Sequence, residues 1–326
     1  MEELKNETVE ETENLPPVKQ TATEEGDVLT QGVMQEKDMQ KVTNKQRVMK
    51  VLVQIGLYLF LGIMALIVVF PFYWMIISSL KTLNEYELEN PTFFPKVIYW
   101  QNYANAFAKA NMGRLFLNTV YVGVVSTLLS LVITILAAFA FARLEFKGKN
   151  TFFAMLLATM MIPGELFTIT NYITVNRLGW MHTFTALIVP FLISVFYIYL
   201  LKQNFEQVPN ELYLAAKVDG TSDFKYLVRV MVPLALPTII SITILKMMGS
   251  WNSYMWPKLV ANDDLHKLIT NGLREMDFSE DGTGSSRIDY PRQMAAVTMV
   301  SIPLFMVFVF LRKYIMKGVS RSGIKG

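Results

Sequence analysis

Apolar and polar positions in this chain fall into long blocks, not the short periods of a soluble domain. Six apolar blocks, roughly 51–77, 115–142, 151–173, 183–201, 234–256 and 294–311, are long enough to cross about 30 Å of hydrocarbon as helices. They are apolar all round and lack period-two alternation, and lipid satisfies no backbone polar group, so helices are the predicted form. The expected fold class is an all-α integral membrane protein with six transmembrane helices.

The polar block from Gln203 to Val232 separates the fourth and fifth apolar blocks and has helical signals of its own. Pro209 suits a first helical turn, where its missing N–H costs nothing, and the charge of Glu211 close behind suits the helix dipole. Glu211, Leu214, Ala215 and Val218 then share one face at i, i+3, i+4, i+7 spacing. Gly220 permits the left-handed turn that ends this helix, and Thr221 or Ser222 can cap a second one running from Asp223 toward Met231. Pro233 and Pro237 close the segment. Two short helices at an angle make a knob, and the adjacent alanines 215 and 216 let another surface come close. Periodicity alone leaves two readings open, a docking knob and an amphipathic loop resting on the bilayer interface.

Composition agrees with the block pattern. Hydrophobic residues make up 52% of the 326, charged ones 17%, and mean hydropathy is +0.34, too apolar for an ordinary soluble chain. Lys and Arg near the span ends set the orientation. Lys45, Arg47 and Lys50 precede the first span. Arg143, Lys147 and Lys149 follow the second, Lys202, Lys217, Lys225 and Arg229 the fourth, and Arg312, Lys313 and Lys317 the sixth. Six crossings put all four clusters on one face, so both termini are expected in the cytosol. Loops on the other face mix basic residues with Glu85, Glu87, Asp263, Asp264, Glu275 and Asp277, so the net charge of +3 carries no argument for nucleic acid.

Residues 1–45 differ from the rest. The first 44 hold eleven acidic residues and a Pro16-Pro17 pair, and such a segment buries too little apolar surface to offset its ordering entropy. The expectation is a disordered acidic cytosolic tail ahead of a transmembrane domain over 46–326. The tail lacks the basic start and apolar core of a signal peptide, so the first span is expected to stay in the mature protein. Without cysteine, thiolate metal sites and cysteine nucleophiles are excluded, and the two histidines, His182 and His266, lie far apart in sequence. No G-x-x-x-x-G-K-[ST] occurs, so the chain is expected to hold no nucleotide or other cofactor of its own.

The run AAKVDGTS followed by VMVPLALP resembles the "EAA" loop of bacterial ABC-importer permeases, matching it at Ala215, Ala216, Asp219, Gly220, Pro233 and Pro237. In that family the loop forms cytosolic coupling helices that sit in a groove of a separate ATPase subunit. The resemblance therefore implies that Glu211, Leu214, Ala215, Ala216, Asp219 and Gly220 make the ATPase contact, with ATP bound by the partner. Leu214 departs from the pattern, because the family's Glu belongs there. Glu211, one turn earlier on the same face, is the candidate substitute.

Other segments resemble the same family in order. The second block, with Asn118, Thr119, Ala137, Ala138, Ala140, Ala142 and Arg143, looks like its second span, and small residues there let helices approach closely. Arg143 reads as a positive-inside anchor. The third block holds MIPGELFTITNYITVNRLGW, where Pro163 and Gly164 interrupt the helix. Glu165 after the break either faces a water-filled path or bonds to freed backbone N–H groups. Asn171 and Tyr172 offer hydrogen bonds to a polyol or lie at the interface. Lys246 stands within the fifth block, where about 2.5 to 3.5 kcal/mol of insertion cost makes it seek the bundle interior, water or a carboxylate such as Glu165. Trp251, Asn252, Tyr254 and Trp256 form either an aromatic belt or, by resemblance to the carbohydrate branch, part of the substrate path. The basic, glycine-rich end with Gly318, Gly323, Lys325 and Gly326 is similar to that branch's tail. The resemblance implies a second homologous permease subunit, two ATP-binding subunits and an extracellular sugar-binding protein as partners.

Overall fold

The computed structural model describes residues 24–109, 111–279 and 287–320. The chain divides into two compact units, Met1–Pro71 and Phe72–Gly326.

The first unit holds most of α1 (Glu24–Ser79), whose segment Val48–Ser79 has a mean hydropathy of 2.6. The helix starts well before the predicted span and takes in residues 24–44. The physical reason is cooperativity: once the apolar span is helical, each added residue costs propagation, not nucleation. The first 23 residues of the expected tail lie outside the described ones.

In the second unit α1 ends and is followed by α2 (Leu83–Tyr86), α3 (Gln101–Lys109) and the 32-residue α4 (Met112–Arg143). Then come α5 (Lys149–Thr159), a 3-10 turn (Gly164–Phe167) and α6 (Thr168–Arg177). Next are α7 (Phe184–Ile188), a 3-10 turn (Val189–Phe191) and α8 (Val195–Glu206). The polar block forms α9 (Asn210–Val218), α10 (Asp223–Tyr226), a π turn (Leu227–Met231) and α11 (Val232–Leu234). It leads into α12 (Leu236–Trp251), α13 (Met255–Val260), α14 (Ile269–Glu275) and α15 (Tyr290–Ser320). Among the described residues the extended structure is one isolated antiparallel bridge, Ser279 to Ile288.

Three helices are long and apolar enough to cross a membrane unbroken: Val48–Ser79, Met112–Arg143 and Tyr290–Phe310. The count reaches six when three bent pairs are each taken as one span, with bends of 87° at residues 160–163, 46° at 192–194 and 79° at Ala235. Each bend has a local cause. Pro163 and Gly164 stop the first, and Pro190 withdraws a donor from the second while the Ser194 hydroxyl accepts from Tyr197 N to restart it. Pro233 and Pro237 flank the third.

Helix α4 is the organising strut of this unit. Its buried side includes Thr119, Val122, Gly123, Ser126, Thr127, Ser130, Thr134 and Ala138, a stripe at helical spacing that packs against α8 and α12. Small residues admit such close approach in lipid, and a Cβ on Gly123 would stand 3.9 Å from Ser250 Oγ. The seam thus runs through the middle of α4, whereas Ala137, Ala140 and Ala142 of the sequence reading are only half-buried. One end of the strut meets a core of Phe139, Leu201, Phe205, Tyr226, Leu227 and Met231. Nearer the other end, Asn118 Nδ2 donates to the carbonyls of Leu265 (2.8 Å) and Lys267 (3.0 Å). From Asn118 to Arg143 is about 38 Å along a helix rising 1.5 Å per residue, enough to traverse the hydrocarbon.

Candidate coupling surface and substrate path

The knob predicted between Pro209 and Pro233 is present. Pro209 precedes α9, whose C-terminus closes as a Schellman motif: Thr221 N donates to Ala216 O (2.9 Å) and Gly220 N to Lys217 O (3.0 Å). Gly220 has φ +70°, the left-handed conformation this motif requires. Ser222, not Thr221, then caps α10, its hydroxyl accepting from Lys225 N. Tyr213 and Ala216 turn inward against the core that contains Tyr226 and Phe205. Outward stand Glu211, Leu214 (55% exposed), Ala215 and Val218 (88% exposed), the face the periodicity predicts, with Asp219 and Gly220 at its edge. A cleft of about 420 Å³ lies between the two helices, lined by Leu212, Ala216, Thr221, Lys225 and Arg229 among others.

A polar clasp fixes the angle between the helices. The carboxylate of Asp223 accepts from Tyr213 Oη at 2.7 Å and from Lys217 Nζ at 2.6 Å. Hydrogen bonds from Lys217 and then Tyr213 hold the Asp223 carboxyl below its usual range, and the bond to Asp223 raises the Lys217 ammonium. Burial, then the Asp223 bond, raises the Tyr213 phenol. Both acid and base therefore stay charged across neutral pH.

Sequence reasoning missed the brace beneath the knob. Arg143, buried at the end of α4, donates through Nη2 to Phe205 O at 2.8 Å and to Val208 O, and through Nη1 to Asn210 Oδ1 at 3.3 Å. Beyond anchoring a span, it ties the strut to the start of α9. The signal available in the sequence was weak, since two of its three acceptors are backbone carbonyls.

The substrate-path candidates scatter. Lys246 lines a cavity of about 370 Å³ together with Ser126, Ser194, Tyr197, Ser250, Ser253 and Trp256. Its ammonium donates to Phe191 O at 2.5 Å, a carbonyl freed where the α7–α8 pair bends. It does not meet Glu165, whose exposed side chain takes no hydrogen-bond partner among the described residues. Glu165 is kept away by the 87° break, which starts a new helix direction right at that residue. Asn171 and Tyr172 are half-buried, and Tyr172 packs against a core containing Val175 and Trp256. Trp251 is turned the other way, edge-on to Phe116 at 5.7 Å, and Asn252 closes its own helix by donating to Met248 O. Tyr254 is held between Lys258 and Arg274, whose guanidinium lies 4.2 Å from the ring centre. Thus Ser253 and Trp256, and not Trp251, Asn252 or Tyr254, supply this segment's contribution to the cavity, because the helix ends at Trp251 and the chain turns.

A broken-span helical bundle with an exposed two-helix knob is the architecture of a transporter membrane subunit, and comparison with known proteins identifies the kind. Residues 130–321 match the family described as binding-protein-dependent transport system inner membrane component, and the chain belongs to it. The permease protein YtcP of a polygalacturonan/rhamnogalacturonan transport system from Bacillus subtilis (strain 168) is 29% identical over 279 residues, covering 83% of this chain and 97% of that protein. The diacetylchitobiose uptake system permease protein NgcG of Streptomyces coelicolor is 30% identical over 265 residues, 79% of this chain and 84% of that one. In fold the chain is similar to a bacterial ABC transporter involved in import of the acidic polysaccharide alginate. The TM-score there is 0.73 at 22% identity, over 81% of this chain and 96% of the other.

Proposed function

We propose that this chain is the transmembrane permease subunit of an ATP-driven ABC importer for a sugar or oligosaccharide. The carrying observation is the exposed face of Glu211, Leu214, Ala215 and Val218, held rigid by the Schellman turn, the Asp223 clasp and the Arg143 brace. In an ATP-driven importer such a face gives the ATP-hydrolysing subunit something to push. The saccharide cargo of YtcP and NgcG supports the same cargo here. The partners are a second homologous permease, two ATP-binding subunits and an extracellular sugar-binding protein, with the knob and both termini in the cytosol.

Mechanistically, closure of the ATPases displaces α9 and α10. Arg143 passes the displacement to α4, and the helix that follows the π turn passes it to α12, so the two walls that bear Ser126 and Ser250 move with the knob. This chain contributes rigid coupling and a path; the bond-breaking chemistry belongs to the partner. Affinity purification of the tagged chain from its native membrane tests the reading: a nucleotide-binding subunit is expected to copurify, and a chain that transports without one would refute it.

A further inference from the structure

The cavity around Lys246 carries a charge that its own architecture does not need. Lys246 lies ten residues beyond Leu236 on α12, within the apolar run read as the fifth span. Its bond to Phe191 O answers a freed carbonyl, but a serine or glutamine could answer that carbonyl without the expense of a charge at this depth. An ammonium has three donors, and Phe191 takes one. Among the described residues no carboxylate lies within ion-pair distance of Lys246, and none lines the cavity. The other polar groups of the wall are the hydroxyls of Ser126, Ser194, Ser250, Ser253 and Tyr197, and Val122, Leu187, Ile193, Leu268 and the indole of Trp256 are among its apolar part. Hydroxyls suit a polyol, a flat ring suits the C–H face of a sugar, and the volume is that of a small-molecule site.

We propose that Lys246 makes this cavity an anion-accepting station on the substrate path, so that the cargo is a saccharide bearing a carboxylate or phosphate. The cargo then supplies the counter-charge that the protein withholds, through a charge-assisted hydrogen bond to the ammonium. The bond to Phe191 keeps the head group at the cavity wall when no cargo is present. This inference rests on the importer reading and refines its substrate class.

The chain contains no cysteine, so Ser253→Cys gives it a single thiol at the cavity wall. In the full-length chain in its native membrane, that thiol is expected to react at least about tenfold faster with a sulfonate-bearing methanethiosulfonate than with its trimethylammonium counterpart, as a focused positive field requires. The preference should persist in Lys246→Arg and vanish in Lys246→Met. Digalacturonate or glucose 6-phosphate should slow the labelling, whichever does so identifying the anion as carboxylate or phosphate, while the neutral methyl ester of digalacturonate should not. A thiol that neither reagent reaches, a preference that survives Lys246→Met, or protection by the methyl ester equal to that of the acid would overturn the proposal. So would a failure of both anions to protect. Absence of a copurifying ATPase would instead sink the importer reading and leave these rates unaffected.

Discussion

At Arg143 one guanidinium serves two carbonyls near the end of α8 and one side chain at the start of α9. Helix ends leave carbonyls without intrahelical partners, and a cation there also suits the dipole. Lysine cannot reproduce the fork. Phe205 O also accepts from Val208 N, so Arg143→Met is expected to cost about 1 to 3 kcal/mol, chiefly at the Val208 carbonyl, and Arg143→Lys to recover only part of that. Thermal stability followed by size-exclusion chromatography, together with ATPase copurification, measures both effects; wild-type values for Arg143→Met would show the brace to be idle. The residue was legible as a basic flank of a span, but its acceptors lie 62 and 65 positions further on, in backbone whose placement no local pattern reveals. The Asp223 clasp makes a second residue-scale prediction. Its depressed carboxyl contributes stability above the ordinary carboxylate pKa and loses it as pH falls through the folded value. The raised Lys217 contributes below the ordinary ammonium pKa and loses it as pH rises through its own folded value. The two windows overlap across neutrality, so copurification should be flat from about pH 5 to about pH 9, and Asp223→Asn should lower thermal stability slightly without creating a slope. A step inside that window would assign the clasp to some other titrating group.

At the scale of elements, stops were easier to read than bends. Pro209, Gly220 and the Ser222 cap delimit the coupling helices where local chemistry says they should, since a Schellman turn or an N-cap is decided within six residues. Pro163 and Gly164 announced the break in the third span for the same reason. The 46° bend between α7 and α8 was not foreseen, because a single Pro190 in an apolar run fits a kinked helix as readily as a restarted one. Gly220 allows a clean element-scale test, since nothing lies within 4 Å of an added Cβ and its φ of +70° is the sole constraint. Gly220→Val should insert and assemble yet lose about 1 to 2 kcal/mol of turn stability, uncoupling ATP hydrolysis from uptake. Gly220→Asn, which tolerates the left-handed region, should retain most coupling. Equal uptake by the valine variant and the wild type, at equal expression, would remove the rigid turn from the mechanism.

For the molecule as a machine, the surface proposed to meet the ATPase is the outward face of α9. The family pattern puts a Glu where Leu214 stands, and the structure leaves Leu214 more than half exposed beside Val218, with Glu211 the acidic group of that face. Among the described residues Glu211 has no ion-pair partner of its own, so its charge is free for a basic residue of the ATPase. If it makes that contact, Glu211→Ala strands a cation in the interface, a loss of about 2 to 5 kcal/mol when that cation is buried and far less at a rim. Leu214→Glu in the Glu211→Ala background should then restore assembly, because one helical turn moves the carboxylate along the same face without leaving it. ATPase copurification with the wild type, the single variant and the double variant measures the effect. Undiminished copurification with Glu211→Ala would eliminate the charge as a source of docking energy and hand that role to Leu214, Ala215 and Val218, whose exposed apolar surface would then have to be what the ATPase covers.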